Sequence, residues 1–524
     1  MNGPVLGAMV NNTLKELCYE IYKPKTIRFI DYTHKDGRRM YTRSLSMVLY
    51  KAVKDLFPKC ELKIEHSVSR GYYCELVNLD LDIENHFHAI QNIKQRMQEI
   101  IKADLPIKRE EVETQKALKI FDELGLHDKS TLLRSRVQMY TSVYTLDNVS
   151  DYFYGHLVQS TGTLGNFDLV KYYDGMLLII PKADKPDELE EIVLQNKLFE
   201  IFQEHKNWVK ILEVPTVGSL NEVVLNGKVG ELIKIAEALQ EKKLAQIADK
   251  IDQRREKVRV IMVSGPSSSG KTTFTKRLAI QLRVLGLKPI QISLDNYFVD
   301  RESTPLDENG EYDFESPEAL DTRLFNDQML DLFAGKEVKL PKFSFTNGSR
   351  YYADKYLKLK EDNILIVEGI HALNPQLSAF IKPELKFKVY VSALTQLGID
   401  SHNRIPTTDN RLLRRIVRDY LYRGYSALET LQRWPSVGRG EKLHIYPYQE
   451  EADVMFNTAL LFEMGVLKKY AEPLLQEVPK NIPEYAESRR LLKFLSYFVP
   501  IGDKEIPQTS ILREFLEGSS FDYS

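Results

Sequence analysis

An eight-residue glycine-rich motif constrains the fold of this chain more than any other feature. The sequence GPSSSGKT at 265–272 matches G-x-x-x-x-G-K-[ST], whose glycines let the backbone curl round a phosphate so that successive N–H groups point inward. Lys271 can reach the β- and γ-phosphates, and the Thr272 hydroxyl can ligate Mg²⁺. The motif therefore predicts a loop that binds ATP with Mg²⁺, the alternative being a serine- and glycine-rich turn without a ligand. The residues expected to contact ATP are Gly265, Pro266, Ser267, Ser268, Ser269, Gly270, Lys271, Thr272 and Thr273.

Short apolar segments alternate with longer amphipathic segments around this loop. Residues 258–263, 289–294, 363–367 and 387–391 are rich in Val and Ile, as is typical of strands that helices cover on both faces. Between the first two segments, apolar residues recur at helical spacing until Gly286, which favours a helix end there. The pattern predicts an α/β domain with a parallel sheet covered by helices.

Two acidic residues directly follow predicted strands of this sheet. Asp295 follows 291–294, and Glu368 follows 364–367. Ligands of an open α/β sheet lie beyond the carboxyl ends of its strands, so both acids are expected beside the glycine-rich loop. A kinase needs one carboxylate to accept the proton of the attacking hydroxyl and another near the metal. We therefore expect Asp295 to be the catalytic base, Lys271 to hold the γ-phosphate and Glu368 to lie near Mg²⁺. The alternative for each acid is a helix cap or a surface residue.

An arginine-rich segment lies further along the chain. Residues 404–439 contain eight Arg, no Lys, two Asp and one Glu. Arginine suits planar, bidentate contacts with phosphate, so the segment predicts a lid that closes over the triphosphate. Two alternatives are a solvated helix with salt bridges and an RNA-binding patch. The arginines on the predicted helix and at its end are Arg411, Arg414, Arg415, Arg418 and Arg423.

Composition excludes several classes of protein. Of the 524 residues 43% are apolar, which argues against a wholly disordered chain, and the net charge of −2 argues against a broadly basic coat for nucleic acid. The three cysteines form no C-x-x-C pair and are expected to be reduced. Neither a signal peptide nor a membrane span is recognised in the sequence. We expect a cytoplasmic protein without a membrane partner; a homo-oligomer stays open.

Six segments in the same order resemble the phosphoribulokinase and uridine kinase family of P-loop kinases. They are GPSSSGKTT at 265–273, SLDNYF at 293–298, YDFESPEALD at 312–321, PKFSFTNGSR at 341–350, IVEGIHAL at 366–373 and RLLRRIVRDYLYRG at 411–424. The resemblance covers roughly 258–460. It implies an α/β kinase domain with ATP as co-substrate, Mg²⁺ as cofactor, Asp295 as base, and Thr272 and Glu368 near the metal.

The same resemblance implies which residues surround the acceptor. Arg418 and Arg423 would lie in the lid and contact ATP. The family's HSR triplet is Gly348-Ser349-Arg350 here, and the Asp of its ribose-binding segment is Glu315. Because lost polar contacts weaken discrimination between bases, the acceptor nucleoside stays open. The implied acceptor residues are Tyr297, Phe298, Phe314, Glu315, Phe343, Arg350 and Arg415.

The N-terminal region, roughly 9–174, resembles a different family. AVKDLFP at 52–58, RGYYCEL at 70–76 and DYFYGHLV at 151–158 look like the second N-terminal domain of threonyl-tRNA synthetases, and 9–17 looks like the end of the small TGS domain before it. The synthetases edit with an H-x-x-x-H pair and a later Cys and His. The matching residues here are Arg43, Met47, Phe153 and Leu157. Because none of them offers imidazole or thiolate, we expect an α+β domain without editing chemistry.

These observations predict five segments and one leading function. The segments are a partial TGS-like piece at 1–35, a synthetase-like α+β domain at 36–220, a linker helix at 221–257, a P-loop nucleoside kinase domain at 258–480 and a C-terminal tail at 481–524 that docks on the body. The function is transfer of the ATP γ-phosphate to a nucleoside 5′-hydroxyl. The alternatives are a phosphoribulokinase-like kinase of another small alcohol or sugar phosphate, and an RNA-binding regulator with an ATP switch, for which tRNA binding stays open.

Overall fold

The N-terminal third of the protein consists of three antiparallel sheets and the helices that cover them. The computed structural model describes residues 3–79, 83–308, 310–344, 347–395 and 397–523. The sheets have the strand orders β2-β1-β3, β4-β5-β10-β9 and β6-β7-β8. Their elements are β1 (Gly7–Val10), β2 (Thr13–Lys15), β3 (Ile27–Ile30), α1 (Lys35–Leu56), β4 (Glu61–Ile64), β5 (Tyr72–Val77), α2 (Ile83–Lys102), β6 (Ile107–Glu113), α3 (Thr114–Glu123), α4 (His127–Arg134), β7 (Tyr140–Leu146), β8 (Val149–Asp151), β9 (Asp168–Tyr172) and β10 (Gly175–Ile179). The predicted α+β class of this region is confirmed.

Three helices connect this region to the C-terminal half: α5 (Asn196–Leu212), α6 (Val217–Leu225) and α7 (Val229–Asp252). The single helix predicted over 221–257 is therefore two helices in the structure. Gly227 separates them with a left-handed φ of +72°, a conformation that glycine adopts without strain. Helix α7 packs against the helix that follows the glycine-rich loop, and Leu244 and Ile251 on α7 are fully buried.

A five-stranded parallel sheet forms the centre of the C-terminal half. Its strand order is β12-β15-β11-β16-β17, and every pairing is parallel. The elements are β11 (Val260–Ser264), α8 (Lys271–Val284), β12 (Lys288–Ser293), α9 (Thr322–Phe333), β13 (Val338–Ser344), β14 (Ser349–Leu357), β15 (Asn363–Glu368), β16 (Lys386–Ser392), α10 (Thr407–Arg423), α11 (Ala427–His444), β17 (Val454–Asn457), α12 (Glu463–Gln476) and α13 (Tyr485–Leu495). The predicted α/β class is confirmed, and each of the four predicted strands is present within two residues of its expected bounds.

The two halves share one buried core. A single apolar cluster contains Phe121 and Leu132 from the N-terminal region, Ile261 from β11 and Phe515 from the C-terminal tail. Apolar burial is the main favourable term in folding, so this continuity joins the halves energetically.

A buried ionic cluster crosses the same junction. The Lys129 ammonium lies 2.8 Å from carboxylate oxygens of both Asp151 and Asp400, and these three side chains are completely buried. His402 Nδ1 lies 2.6 Å from the other oxygen of Asp151. Although burial alone would raise it, Lys129 and His402 lower the pKa of Asp151 to about 2. Because Asp400 and His402 follow β16 while Lys129 and Asp151 belong to the N-terminal region, the cluster ties the parallel sheet to that region.

Candidate active site

The glycine-rich loop lies between the end of β11 and the start of α8. Gly265 has no room for a side chain, because a Cβ there would lie 1.9 Å from the carbonyl oxygen of Val391. Ser268 and Gly270 have φ angles of +58° and +84°, so the loop takes the left-handed turns that direct its N–H groups inward. The Lys271 ammonium donates to the carbonyl oxygens of Gly265 and Pro266 at 2.9 and 3.2 Å, and thus lies across the mouth of the loop.

A cleft of about 440 Å³ opens beside the loop. Its walls come from the loop, the ends of β12 and β15, the arginine helix α10 and the C-terminal tail. The lining residues predicted from the sequence are Ser267, Ser268, Ser269, Gly270, Lys271, Thr272, Asp295, Phe298, Phe314, Glu315, Phe343, Glu368, Arg415, Arg418 and Arg423. Gly265, Pro266 and Thr273 belong to the loop and its helix but do not line the cleft surface.

The two strand-end carboxylates face each other in this cleft. Glu368 ends β15, directly opposite Ser293, whose hydroxyl donates to it at 2.9 Å. Asp295 lies in the 3₁₀ turn at Leu294–Tyr297 that follows β12. Burial, reinforced by the negative charge of Asp295, raises the pKa of Glu368 to about 7, while Lys271 opposes the rise.

The carboxyl group of Glu368 and the hydroxyl of Thr272 fit a divalent cation. Burial and Asp295 act on Glu368 more strongly than the Lys271 charge does, and a metal ion would add positive charge there. Within the described ranges no group of three or more His, Cys, Asp or Glu side chains could hold a metal. Mg²⁺ commonly binds through one or two protein oxygens together with water and substrate phosphates, so this sparse donor set suits it.

The arginines of α10 divide into two kinds. Arg411 and Arg414 are completely buried and form ion pairs with Glu441 and Glu463, so they hold α10 in place and are not part of a lid. The lid predicted from the arginine-rich segment therefore does not include these two side chains. The remaining three line the cleft and surround Asp419 at 2.8–3.6 Å: Arg415, Arg418 and Arg423.

The charge around these cleft arginines exceeds what Asp419 neutralises. The nearby Arg418, followed by burial, lowers the pKa of Arg423 to about 10. Arg415 donates to the hydroxyl of Ser267 in the glycine-rich loop at 2.9 Å. A dense positive surface that contacts the phosphate loop favours an anionic ligand between α10 and the loop.

Apolar rings and one carboxyl group form the other end of the cleft. The Phe298 and Phe343 rings lie 5.7 Å apart between centroids. Burial, reinforced by Glu441, raises the pKa of Glu315 to about 7, and among the described residues its Oε2 atom has no hydrogen-bond partner. A flat apolar group against these rings and a donor to Glu315 would satisfy this surface.

Two predicted acceptor residues lie outside the cleft. The Tyr297 side chain is buried and donates to Gln328 at 2.8 Å, while Arg350 forms an ion pair with Asp321 at 2.9 Å. Tyr297 and Phe298 are adjacent in the chain, yet only Phe298 lines the cleft.

Further lining residues were not predicted as site residues. Arg433 and Tyr425 lie in the arginine-rich segment, so composition carried a signal for them, whereas Glu514 comes from the tail and carries none. The full set is Val299, Arg301, Ile370, Tyr422, Tyr425, Arg433 and Glu514.

The N-terminal residues that match the synthetase editing motif are packed against their neighbours. Met47, Phe153 and Leu157 are buried in one apolar cluster. The Arg43 guanidinium donates to the carbonyl oxygen of His156 at 2.7 Å and lies over the Tyr154 ring. The position of an editing centre is therefore filled with core side chains and one cation.

Comparisons with known proteins find different relatives for the C-terminal half and for the N-terminal part of the chain. Residues 260–460 match the family model "Phosphoribulokinase / Uridine kinase family". The uridine kinase of Staphylococcus aureus is 29% identical over 199 residues, which are 37% of this chain and 86% of that protein. This segment is thus similar to the kinase domains of that family, and ATP is the co-substrate that such a similarity implies.

The N-terminal part has a separate relative. The threonine–tRNA ligase of Syntrophotalea carbinolica is 30% identical over 208 residues, which are 37% of this chain. The match spans 32% of the length of that protein.

A solved structure of a possible uridine kinase from Bacillus stearothermophilus has 17% identity and a TM-score of 0.28, and covers 40% of this chain and 100% of that chain. In the described ranges, no helix combines the length and the apolarity that a membrane crossing requires.

Proposed function

We propose that this protein transfers the γ-phosphate of ATP to the 5′-hydroxyl of a nucleoside. The observation that carries the proposal is the shared cleft, in which the phosphate loop, Asp295, Glu368 and the acceptor surface at Phe298 and Glu315 meet. The uridine kinase relative supports the nucleoside acceptor.

Each group of residues in the cleft has its own task in this reaction. Lys271 and the loop N–H groups hold the β- and γ-phosphates, and Arg418 and Arg423 offset charge on the transferring group. Mg²⁺, held by Thr272 and Glu368, would neutralise the phosphate oxygens. Asp295 accepts the proton as the acceptor oxygen bonds to the γ-phosphorus; the bond from that phosphorus to the β,γ-bridging oxygen breaks, and ADP leaves with the electron pair.

The acceptor surface explains why a nucleoside fits. Phe298 and Phe343 offer flat apolar contact for a base, while Glu315 can accept a hydrogen bond from a sugar hydroxyl. Arg415 borders the same end of the cleft. We place the reaction in the cytoplasm, in keeping with three cysteines that form no disulfide.

A second candidate acceptor is a sugar phosphate. Arg301 lines the cleft close to the acceptor surface and could contact a phosphate that the acceptor already carries. This candidate stays within the phosphoribulokinase and uridine kinase family.

The test is phosphoryl transfer from ATP to a panel of acceptors. We expect product with at least one ribonucleoside and none with its 5′-deoxy analogue, which keeps the base and sugar but lacks the attacking hydroxyl. Ribose 5-phosphate and ribulose 5-phosphate test the second candidate. Addition of tRNA alone tests a regulator with an ATP switch, and ATP consumption that depends on tRNA but on no small acceptor would contradict the proposal.

A further inference from the structure

The C-terminal tail contacts the helix that begins at the phosphate loop. One carboxylate oxygen of Glu514 accepts hydrogen bonds from the backbone N–H of Thr273 at 2.9 Å and from its hydroxyl at 2.7 Å. The Tyr523 hydroxyl lies 2.9 Å from the same Thr273 hydroxyl. Residues 511–523, the tail segment, thus hold Thr273 from two sides.

Thr273 directly follows the phosphate motif and lies in the first turn of α8. The first N–H groups of a helix have no intrahelical partner, and in α8 they belong to Lys271, Thr272 and Thr273. Backbone N–H groups of this motif cradle the α- and β-phosphates. The Glu514 carboxylate therefore occupies, with a negative charge, a helix-start donor directly beside those with which the motif binds phosphate.

Apolar and polar contacts position the tail segment for this role. Ile511 lies so close to Gly270 that a Cβ on the glycine would be 2.6 Å from an Ile511 methyl group. The Phe515 ring lies under the Arg414 guanidinium, and the Tyr422 hydroxyl on α10 donates to the carbonyl oxygen of Leu516. Movement of Glu514 is thereby linked to the loop and to the arginine helix.

We propose that Glu514 is an internal competitor of the nucleotide. Its carboxylate caps α8 when no nucleotide is bound, and nucleotide phosphate displaces it and loosens the tail segment. By thermodynamic linkage, the factor by which the docked carboxylate weakens nucleotide binding equals the factor by which nucleotide weakens docking. The inference requires only that the loop binds nucleotide, and is independent of the proposed acceptor.

The test measures ADP binding with Mg²⁺ by calorimetry on the full-length protein. Glu514→Gln keeps the size of the side chain and an acceptor for Thr273 but removes the charge. We expect this variant to bind ADP about tenfold more tightly than the wild type. Glu517→Gln removes an exposed charge from the same segment and is the matched control, with unchanged affinity.

Hydrogen–deuterium exchange gives a second readout that needs no substitution. Saturating ADP should increase amide exchange in the tail segment of the wild type. Unchanged or weaker ADP binding by Glu514→Gln would overturn the proposal, as would tail exchange that ADP leaves unchanged or slows. A wild-type chain that fails to bind ADP would overturn it too, whereas intact ADP binding without nucleoside phosphorylation would contradict only the proposed function.

Discussion

The phosphate-loop cleft and the N-terminal residues that match the synthetase editing motif use their side chains in different ways. In the first, Lys271, Asp295 and Glu368 converge on an open volume of about 440 Å³. In the second, Met47 and Phe153 are buried among apolar neighbours. One half keeps polar groups available to a ligand, and the other uses the matching positions for its core.

The difference shows what a functional site costs the fold. Burying a carboxyl group beside another is unfavourable, and the raised pKa of Glu368 reflects that penalty. Apolar side chains at Met47, Phe153 and Leu157 avoid this penalty and add apolar burial. We infer that the N-terminal region contributes packing to the whole protein, because its residues share a core with the kinase half.

The largest effect is expected at the phosphate loop. Lys271→Ala should remove detectable phosphoryl transfer, since loss of such a charge costs about 10³-fold in rate. The side chain is only half-buried, so thermal unfolding should stay close to that of the wild type. The matched control is Arg283→Ala at the exposed far end of α8. Near-normal turnover would show that this loop does not bind the transferred phosphate.

Replacement of the predicted base should separate chemistry from binding. Asp295→Asn keeps the shape of the side chain but cannot accept the proton, so we expect turnover to fall by about 10²- to 10⁴-fold with ATP affinity nearly unchanged. Steady-state kinetics and direct ATP binding measure the two quantities. A loss confined to ATP affinity would instead place Asp295 in the metal shell.

A substitution at the junction between the halves should lower the free energy of unfolding and leave turnover unchanged. Lys129→Met leaves Asp151 and Asp400 buried without their cation, and breaking a buried pair in this way costs about 3–5 kcal/mol. We expect both halves to unfold in one transition at a lower temperature, while turnover of the folded protein is retained. Two independent transitions in calorimetry would contradict the shared core.

The cost of the kinase site should appear in the pH dependence of stability. The folded-state pKa of Glu368 lies above the ordinary value of 4.5. The contribution of this group to the free energy of unfolding is therefore complete below pH 4.5 and is lost as the pH rises through about 7. Glu368→Gln should therefore stabilise the metal-free protein by about 1–3 kcal/mol at pH 8, with little change at pH 4.5. Thermal unfolding at both pH values measures this, and equal shifts would argue against a raised pKa.

The smallest expected effect is at the N-terminal residues that match the synthetase editing motif. The full chain should not hydrolyse mischarged tRNA, because Arg43, Met47, Phe153 and Leu157 can neither activate water nor bind zinc. Deacylation is measured beside an editing-competent threonyl-tRNA synthetase as positive control. Robust hydrolysis would show that this region holds a catalytic centre elsewhere.

The sequence by itself determined the loop, the strands and the places of the two acids. The motif at 265–272 is local, and residues directly after parallel strands reach the same sheet edge whatever the surroundings. Asp295 and Glu368 could be placed for that reason.

Only the tertiary structure decided which of several residues of the same type face the cleft. Arg414 and Arg418 lie one turn apart on the same helix, yet Arg414 pairs with Glu463 in the core and Arg418 lines the cleft. Glu514 reaches Thr273 from 241 residues away. Residue type and spacing describe a helix face, but burial depends on what packs against that face, and distant segments of the chain supply those neighbours.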